Sequence, residues 1–195
     1  MRLVFIGPSG CGKGTQASLL ERRFLIPKLS VGDFVRRSLA RDDGWGQRLR
    51  AKRAPAATHH WQPIDDELGV AIVACMVGSR LAYCLDGFPR SVAQAESTAA
   101  LLRPDAVIEF FCDEPTCDAR IAVRARRSDT AHKVRTRRRH ETDTLPDISA
   151  ALRSAGLRVL VVDAARPIEV IHSDLVARLR ITPRDPFQCA VTHPA

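Results

Sequence analysis

Gly7-Pro8-Ser9-Gly10-Cys11-Gly12-Lys13-Gly14-Thr15-Gln16 follows the apolar run at residues 3–6 directly and opens an amphipathic segment. Strand, glycine loop and helix in that order are the arrangement of a phosphate-binding P-loop. The glycines let successive backbone N–H groups turn inward around a polyphosphate, the start of the helix near Lys13 adds its positive dipole end, and Lys13 supplies a mobile cation. A glycine-rich loop could be only a tight turn, but strand, lysine and hydroxyl together select the phosphate reading. The chain is therefore expected to handle a nucleoside triphosphate, with Ser9, Gly10, Cys11, Gly12, Lys13, Gly14 and Thr15 around its phosphates.

Working outward, short apolar runs at residues 81–85, 107–111 and 159–162 join 3–6 as predicted strands, and a short strand at 28–30 completes five. Helical patterns fall at 13–24, 32–40, 65–77, 92–102, 115–127, 131–139 with a continuation at 147–154, and 168–179. Strands alternating with longer helices imply an α/β fold, a parallel sheet with helices on both faces. The 195 residues fit one domain, expected at 1–182, with an irregular proline-containing tail at 183–195. No apolar run approaches the ~20 residues of a membrane span, and the N-terminus enters a strand instead of a cleavable signal, so a cytoplasmic protein without membrane contact is expected. The six cysteines are scattered without a paired zinc spacing and read as reduced core thiols. Cys11, in a glycine loop beside a lysine and a helix start, is expected to be unusually acidic and reactive. A net charge of +8 suits a polyanionic partner, either nucleic acid or a site that neutralises two nucleotides.

In the loop the hydroxyl arrives one residue late, after Gly14, and the spelling Gly12-Lys13-Gly14-Thr15-Gln16 resembles adenylate kinases and their nucleoside monophosphate kinase relatives. Two further segments fall in that family's order: Leu29-Ser30-Val31-Gly32-Asp33-Phe34-Val35-Arg36, and Leu85-Asp86-Gly87-Phe88-Pro89-Arg90 with Gln94 following. Weaker similarity runs through Val107-Ile108-Glu109-Phe110-Phe111, residues 120–129, and Val161-Val162-Asp163 with Pro167. The resemblance implies a three-layer P-loop NTPase fold with strand order 2-3-1-4-5. It also implies an inserted helical monophosphate-binding arm at about 31–68 and a lid at about 124–130, short because few residues separate Arg124 from Asp129. The activity it implies is reversible transfer of the γ-phosphoryl of MgATP to AMP by a monomeric enzyme, with Mg²⁺ as cofactor.

Phosphoryl transfer asks mainly for in-line positioning and stabilisation of negative charge, so arginines should outnumber acid–base groups. Asp86 ends a predicted central strand, where a carboxylate can hold the water shell of Mg²⁺; a helix-capping aspartate is the plainer alternative. By resemblance, Arg36 and Arg90 grip the acceptor phosphate, beside Gly87, a role suited to the planar guanidinium fork. Arg120 lies over the donor adenine, Arg124 and Arg166 reach the donor, and Arg127 meets the transferring phosphoryl. Arg120, Arg124 and Arg127 are spaced to share one helix face. A further catalytic arginine is expected in the next helix, at Arg137 or equally Arg138. Gln94 can offer donor and acceptor atoms to an adenine edge. Val31 stands where adenylate kinases commonly carry threonine and resembles pyrimidine-specific relatives. Thr130 replaces a usual second lid aspartate, and the following helix lacks the family's glutamates and tyrosine.

The sequence admits three further readings. They are a kinase for another monophosphate, a nucleotide-binding protein without turnover, and a nucleic-acid-binding protein resting on the basic run at 133–139. That run has no interleaved aromatic residue, which disfavours stacking on bases.

Overall fold

The computed structural model describes residues 1–41, 43–52, 63–124 and 130–182. Its strands are β1 (Arg2–Ile6), β2 (Lys28–Ser30), β3 (Tyr83–Asp86), β4 (Ala106–Phe111) and β5 (Val159–Asp163). All neighbours pair in parallel, in the order β2-β3-β1-β4-β5. Side chains alternate across a strand, so a parallel sheet covered on both faces must bury both sets. In β1, Leu3 and Phe5 pack with Ala17 and Leu20 of α1 (Lys13–Phe24) and with Ile171 and Leu175 of α8 (Ile168–Leu179). Val4 and Ile6 take the other face, with Val35 of α2 (Val31–Arg41), Ile72 of α4 (Asp66–Val77) and Leu152 of α7 (Ala131–Ser154). The three-layer α/β architecture and the strand order are those expected.

This topology positions the site. The connections after β1 and after β3 run to opposite sides of the sheet, and Phe5 is paired in register with Asp86. The loops leaving the two strands therefore flank one crevice at the carboxyl end of the sheet, the place where open α/β sheets bind ligands.

The arm holds a helix that the sequence reading left unassigned, α3 (Gly44–Ala51), whose N-cap Asp43 accepts a hydrogen bond from Gly46 N at 2.8 Å. Its Trp45 ring meets the Phe34 ring of α2 edge-on at 5.9 Å. The expected helix at 92–102 is α5 (Val92–Ser97) continued by a π-helical turn, Thr98–Leu102. The helix expected at 115–127 is α6 (Glu114–Arg124); Arg127 and most of the short lid lie outside the described residues, as does the tail at 183–195. The cysteine expectation holds for Cys11, Cys84 and Cys117, which are buried, but Cys75 is exposed and Cys112 half-buried.

The largest correction concerns α7. The expected interruption at 140–146 is absent, and one helix runs from Ala131 through Pro146 to Ser154. Thr130 caps it, its hydroxyl accepting from Lys133 N at 3.3 Å, so the residue that departs from the family pattern serves the helix start as an aspartate would. Pro146 supplies no N–H and its ring crowds the carbonyl four residues back, yet Ile148 and Leu152 beyond it are buried in the core and hold the helix on course. Because Pro146 itself is exposed, Pro146→Ala restores a helix donor without opening a cavity. It is expected to stabilise the domain, by up to about 3 kcal/mol, with the rise read from the chemical-denaturation midpoint.

Candidate active site

The P-loop occupies the turn between β1 and α1. Gly7 has φ 135° and Gly10 φ 96°, and a Cβ on either would lie 2.5 Å from Phe110 O or 2.6 Å from Cys117 O respectively. Both positions therefore require glycine. The loop packs this closely against β4 and α6, and Gly12 caps α1. Lys13 Nζ donates to Gly7 O at 2.7 Å and to Pro8 O at 2.8 Å, so the ammonium folds over the loop that carries it. Burial opposes its charge, but neighbouring negative groups, the Asp86 and Glu141 carboxylates among them, hold its pKa above the ordinary value.

Cys11 departs from expectation. It is fully buried, and burial pushes its thiol pKa up further than nearby Lys13 can pull it down. Burial and the raised pKa both disfavour a thiolate, contrary to the acidic thiol expected there.

Asp86 ends β3 as predicted. Its Oδ2 lies 3.3 Å, and Lys28 Nζ 3.4 Å, from the point that a Cβ on Gly14 would occupy; the extra glycine after the lysine leaves room for both. Lys28 also donates to Gly14 O and to Ser18 Oγ, each at 3.0 Å. The Asp86 carboxylate and the exposed Thr15 are hard oxygen donors beside the phosphate loop. Among the described residues no cluster of three metal-ligating side chains exists. That combination fits a Mg²⁺ ion that keeps its waters and arrives on phosphate oxygens, and does not fit an all-protein cage.

Arg36 and Arg90 approach the same backbone notch. A Cβ on Gly32 would lie 3.3 Å from Arg36 Nη1, and one on Gly87 3.5 Å from Arg90 Nη2 and 3.8 Å from Gly32 N. Arg36 is paired with Asp33. Arg90 is anchored through Nε to Gly87 O at 2.9 Å, and its Nη1 is paired with Glu141 Oε1. Glu141 also accepts a hydrogen bond from Ser9 N of the P-loop, at 2.6 Å to Oε2, and is only 8% exposed. Burial would raise its pKa, but Arg90, Lys13, the Ser9 hydrogen bond and Arg137 together hold it below the usual carboxylate range.

Gln94 is 2% exposed and its amide orientation is fixed by its partners. Oε1 accepts from Arg90 N at 2.8 Å, and Nε2 donates to Asp66 Oδ1 at 2.9 Å, leaving a weak 3.5 Å contact to Ile64 O. Asp66 also accepts from Ser91 Oγ at 2.7 Å, which ties α4 to the start of α5. Gly69 faces this amide, with the point of a Cβ only 3.1 Å from Nε2. Val31 is 3% exposed and belongs to the core with Val35 and Phe88, so it presents little surface to a base.

The remaining arginines separate by geometry. Arg120 donates to Ala164 O at 2.7 Å and to Ala165 O at 3.4 Å, spanning from α6 to the loop after β5. Arg166 in that loop is held by Asp174 at 3.0 Å, and Arg124 ends α6 at the lid. On α7, Arg137 stands one turn before Glu141, near enough for its charge to help hold that carboxyl low, whereas Arg138 turns to α6 and pairs with Glu114 at 3.3 Å and Asp118 at 2.6 Å. Arg139 is exposed beside Asp143. The two candidates that sequence spacing left level thus point in different directions.

Sequence reasoning missed Glu141, Lys28 and Asp66. The signal for Glu141 was its i,i+4 spacing from Arg137, hidden because the helix was expected to stop at 139.

The match to known proteins agrees with this geometry. The adenylate kinase family model matches residues 5–150. The chain is 34% identical over 200 residues to the adenylate kinase of Methylorubrum extorquens strain PA1, covering 92% of this chain and 96% of that protein. It is 32% identical over 191 residues to that of Rhodococcus erythropolis strain PR4, with 92% and 99% covered. With that of Rhizobium meliloti strain 1021 it shares 42% identity over 122 residues, 58% of this chain and 61% of that protein. A P-loop, an Asp-Gly-Phe-Pro-Arg turn leaving the adjacent strand, and a family match over most of the length lead to one assignment: the chain belongs to the adenylate kinase family of phosphotransferases.

Proposed function

We propose that the chain transfers the γ-phosphoryl group of MgATP reversibly to AMP, giving two ADP. One observation carries the reading: Ser9 N of the donor loop and Arg90 of the acceptor notch bond the two oxygens of a single carboxylate, Glu141. An anion that both halves of a site reach at once stands where a phosphoryl group passing between them would be. In the transfer, an AMP phosphate oxygen attacks the γ-phosphorus while the bond to the β-phosphate oxygen breaks, and ADP leaves. Lys13 and the P-loop N–H groups, from Ser9 to Thr15, hold the donor phosphates, and Arg36 and Arg90 hold the acceptor phosphate beside Gly87. Arg137, with Arg124 and Arg127 from the lid, neutralises charge spreading over the equatorial oxygens. Arg120 covers the adenine and Arg166 supports it from the facing loop.

Mg²⁺ enters with ATP as part of the substrate, and Asp86 orients its water shell. Gln94 keeps one Oε1 lone pair and the weakly bonded Nε2 hydrogen for an adenine edge, which donates from its amino group and accepts at the ring nitrogen. Val31 acts through packing beneath this pocket. Sequestration of Arg138 breaks up the basic run at 133–139, which argues against a nucleic-acid surface. No described helix is long and apolar enough to cross a membrane. We place the enzyme in the cytoplasm as a monomer, with residues 1–182 as its single domain, the arm at 31–68 closing on AMP and the short lid at 124–130 on ATP.

Lys13→Met should lower turnover by about 10²–10³-fold or more with the circular dichroism spectrum unchanged, measured by coupled ADP formation. Substitution of the arginines should divide by role. Arg36→Ala should chiefly raise KM for AMP, Arg137→Ala should depress kcat, and Arg138→Ala should lower stability with little kinetic effect in the folded fraction. If Arg137 and Arg138 variants behave alike, the directional reading of α7 is wrong. Across AMP, GMP, CMP, UMP and dTMP, AMP should have the highest kcat/KM. Gln94→Ala should cut that value about 5- to 150-fold, the equivalent of ~1–3 kcal/mol for unpaired polar atoms, while changing CMP and UMP little. A pyrimidine at the head of the series would overturn the adenine assignment.

A further inference from the structure

Nothing in the transfer described above calls for a carboxylate in the phosphate site, yet Glu141 is built into it. Its Oε2 accepts from Ser9 N at 2.6 Å, its Oε1 pairs with Arg90, and Lys13 and Arg137 add their charge from the loop and from the preceding turn of α7. The side chain is 8% exposed, so these are not the loose pairings of a surface residue. The partners are the kinds of group that recognise a phosphoryl oxyanion: a P-loop N–H, a lysine and guanidinium forks. A single carboxylate also spans the donor loop and the acceptor notch, which a substrate phosphate would do during transfer.

We infer that Glu141 is a resident stand-in for a substrate phosphate: a positioning residue that holds the P-loop and Arg90 together between turnovers, and that nucleotide phosphates must displace to bind. The inference rests on the nucleotide reading of the site. Its physical basis is charge balance. Buried cations without an anion are costly, and α7 supplies that anion while the site is free of substrate. When phosphate arrives, two anions compete for one set of donors, and the carboxylate has to yield. Glu141 itself lines, with Gly7, Lys13, Gly87, Arg90 and Thr144, a cavity of about 20 Å³, space for about one water, so a phosphate cannot enter beside the carboxylate and has to take its place.

The test is ATP binding without an acceptor, by calorimetry at pH 7.5, on the full chain and on Glu141→Gln, together with thermal unfolding of each with and without ATP. Loss of the competing charge should tighten ATP binding at least fivefold, lower the Tm of the ligand-free protein, and enlarge the rise in Tm that saturating ATP produces. A residue serving only structure would lower the Tm and leave ATP affinity unchanged. Should Glu141→Gln fail to fold, Glu141→Asp replaces it: the shorter carboxylate cannot bridge Ser9 N and Arg90, and ATP binding should again tighten. Unchanged or weaker ATP affinity in the folded variant overturns the inference and leaves the proposed function standing. A wild-type chain that binds no ATP overturns both.

Discussion

Positive charge fixed at the carboxyl ends of β1 and β3 is the constraint that the surrounding structure satisfies. Inward backbone N–H groups, Lys13, Arg90 and Arg137 meet in a crevice closed over by α7, where water screens poorly and every unpaired charge is expensive. Much of the local design follows. Gly7 and Gly10 let the loop lie against β4 and α6 closely enough to aim its donors, and Lys13 is tied to two loop carbonyls instead of roaming. The neutral, buried thiol of Cys11 belongs to the same economy, since a thiolate beneath the loop would compete with phosphate for Lys13.

Helix α7 shows how one segment can serve packing and chemistry at once. Three consecutive arginines, 137 to 139, point about 100° apart around a helix and so meet three environments: the neighbourhood of Glu141, the acidic side chains of α6, and solvent. A basic run that resembles a nucleic-acid patch when written in a line becomes one charge beside Glu141, one buried tie and one surface charge. The same periodicity returns Glu141 to the face of Arg137 and sends Ile148 and Leu152 into the core. The helix stays continuous through Pro146 because those tertiary contacts outweigh the lost donor.

Between α4 and α5 the structure holds one amide in a fixed orientation. Asp66, Ser91 and the backbone of Arg90 orient Gln94, and Gly69 gives it space. The amide is thus a preset donor and acceptor pair, and Val31 lies in the core with Val35 and Phe88.

The sequence by itself determined the glycine loop, the number of strands, most of the helices apart from α3 and the middle of α7, and the family. Those rest on local rules: a glycine turn between strand and helix, apolar periodicity, and contiguous motifs. Tertiary structure alone decided where Arg138 and Arg139 point, that α7 does not break at residues 140–146, that Cys11 is fully buried, and that Glu141 and Lys28 stand at the glycine loop. Each of these depends on groups far apart in the chain, such as Ser9 and Glu141, which are 132 residues apart yet joined by a 2.6 Å hydrogen bond. Local propensity carries no information about such a partner, because burial and charge are set by what the fold places opposite.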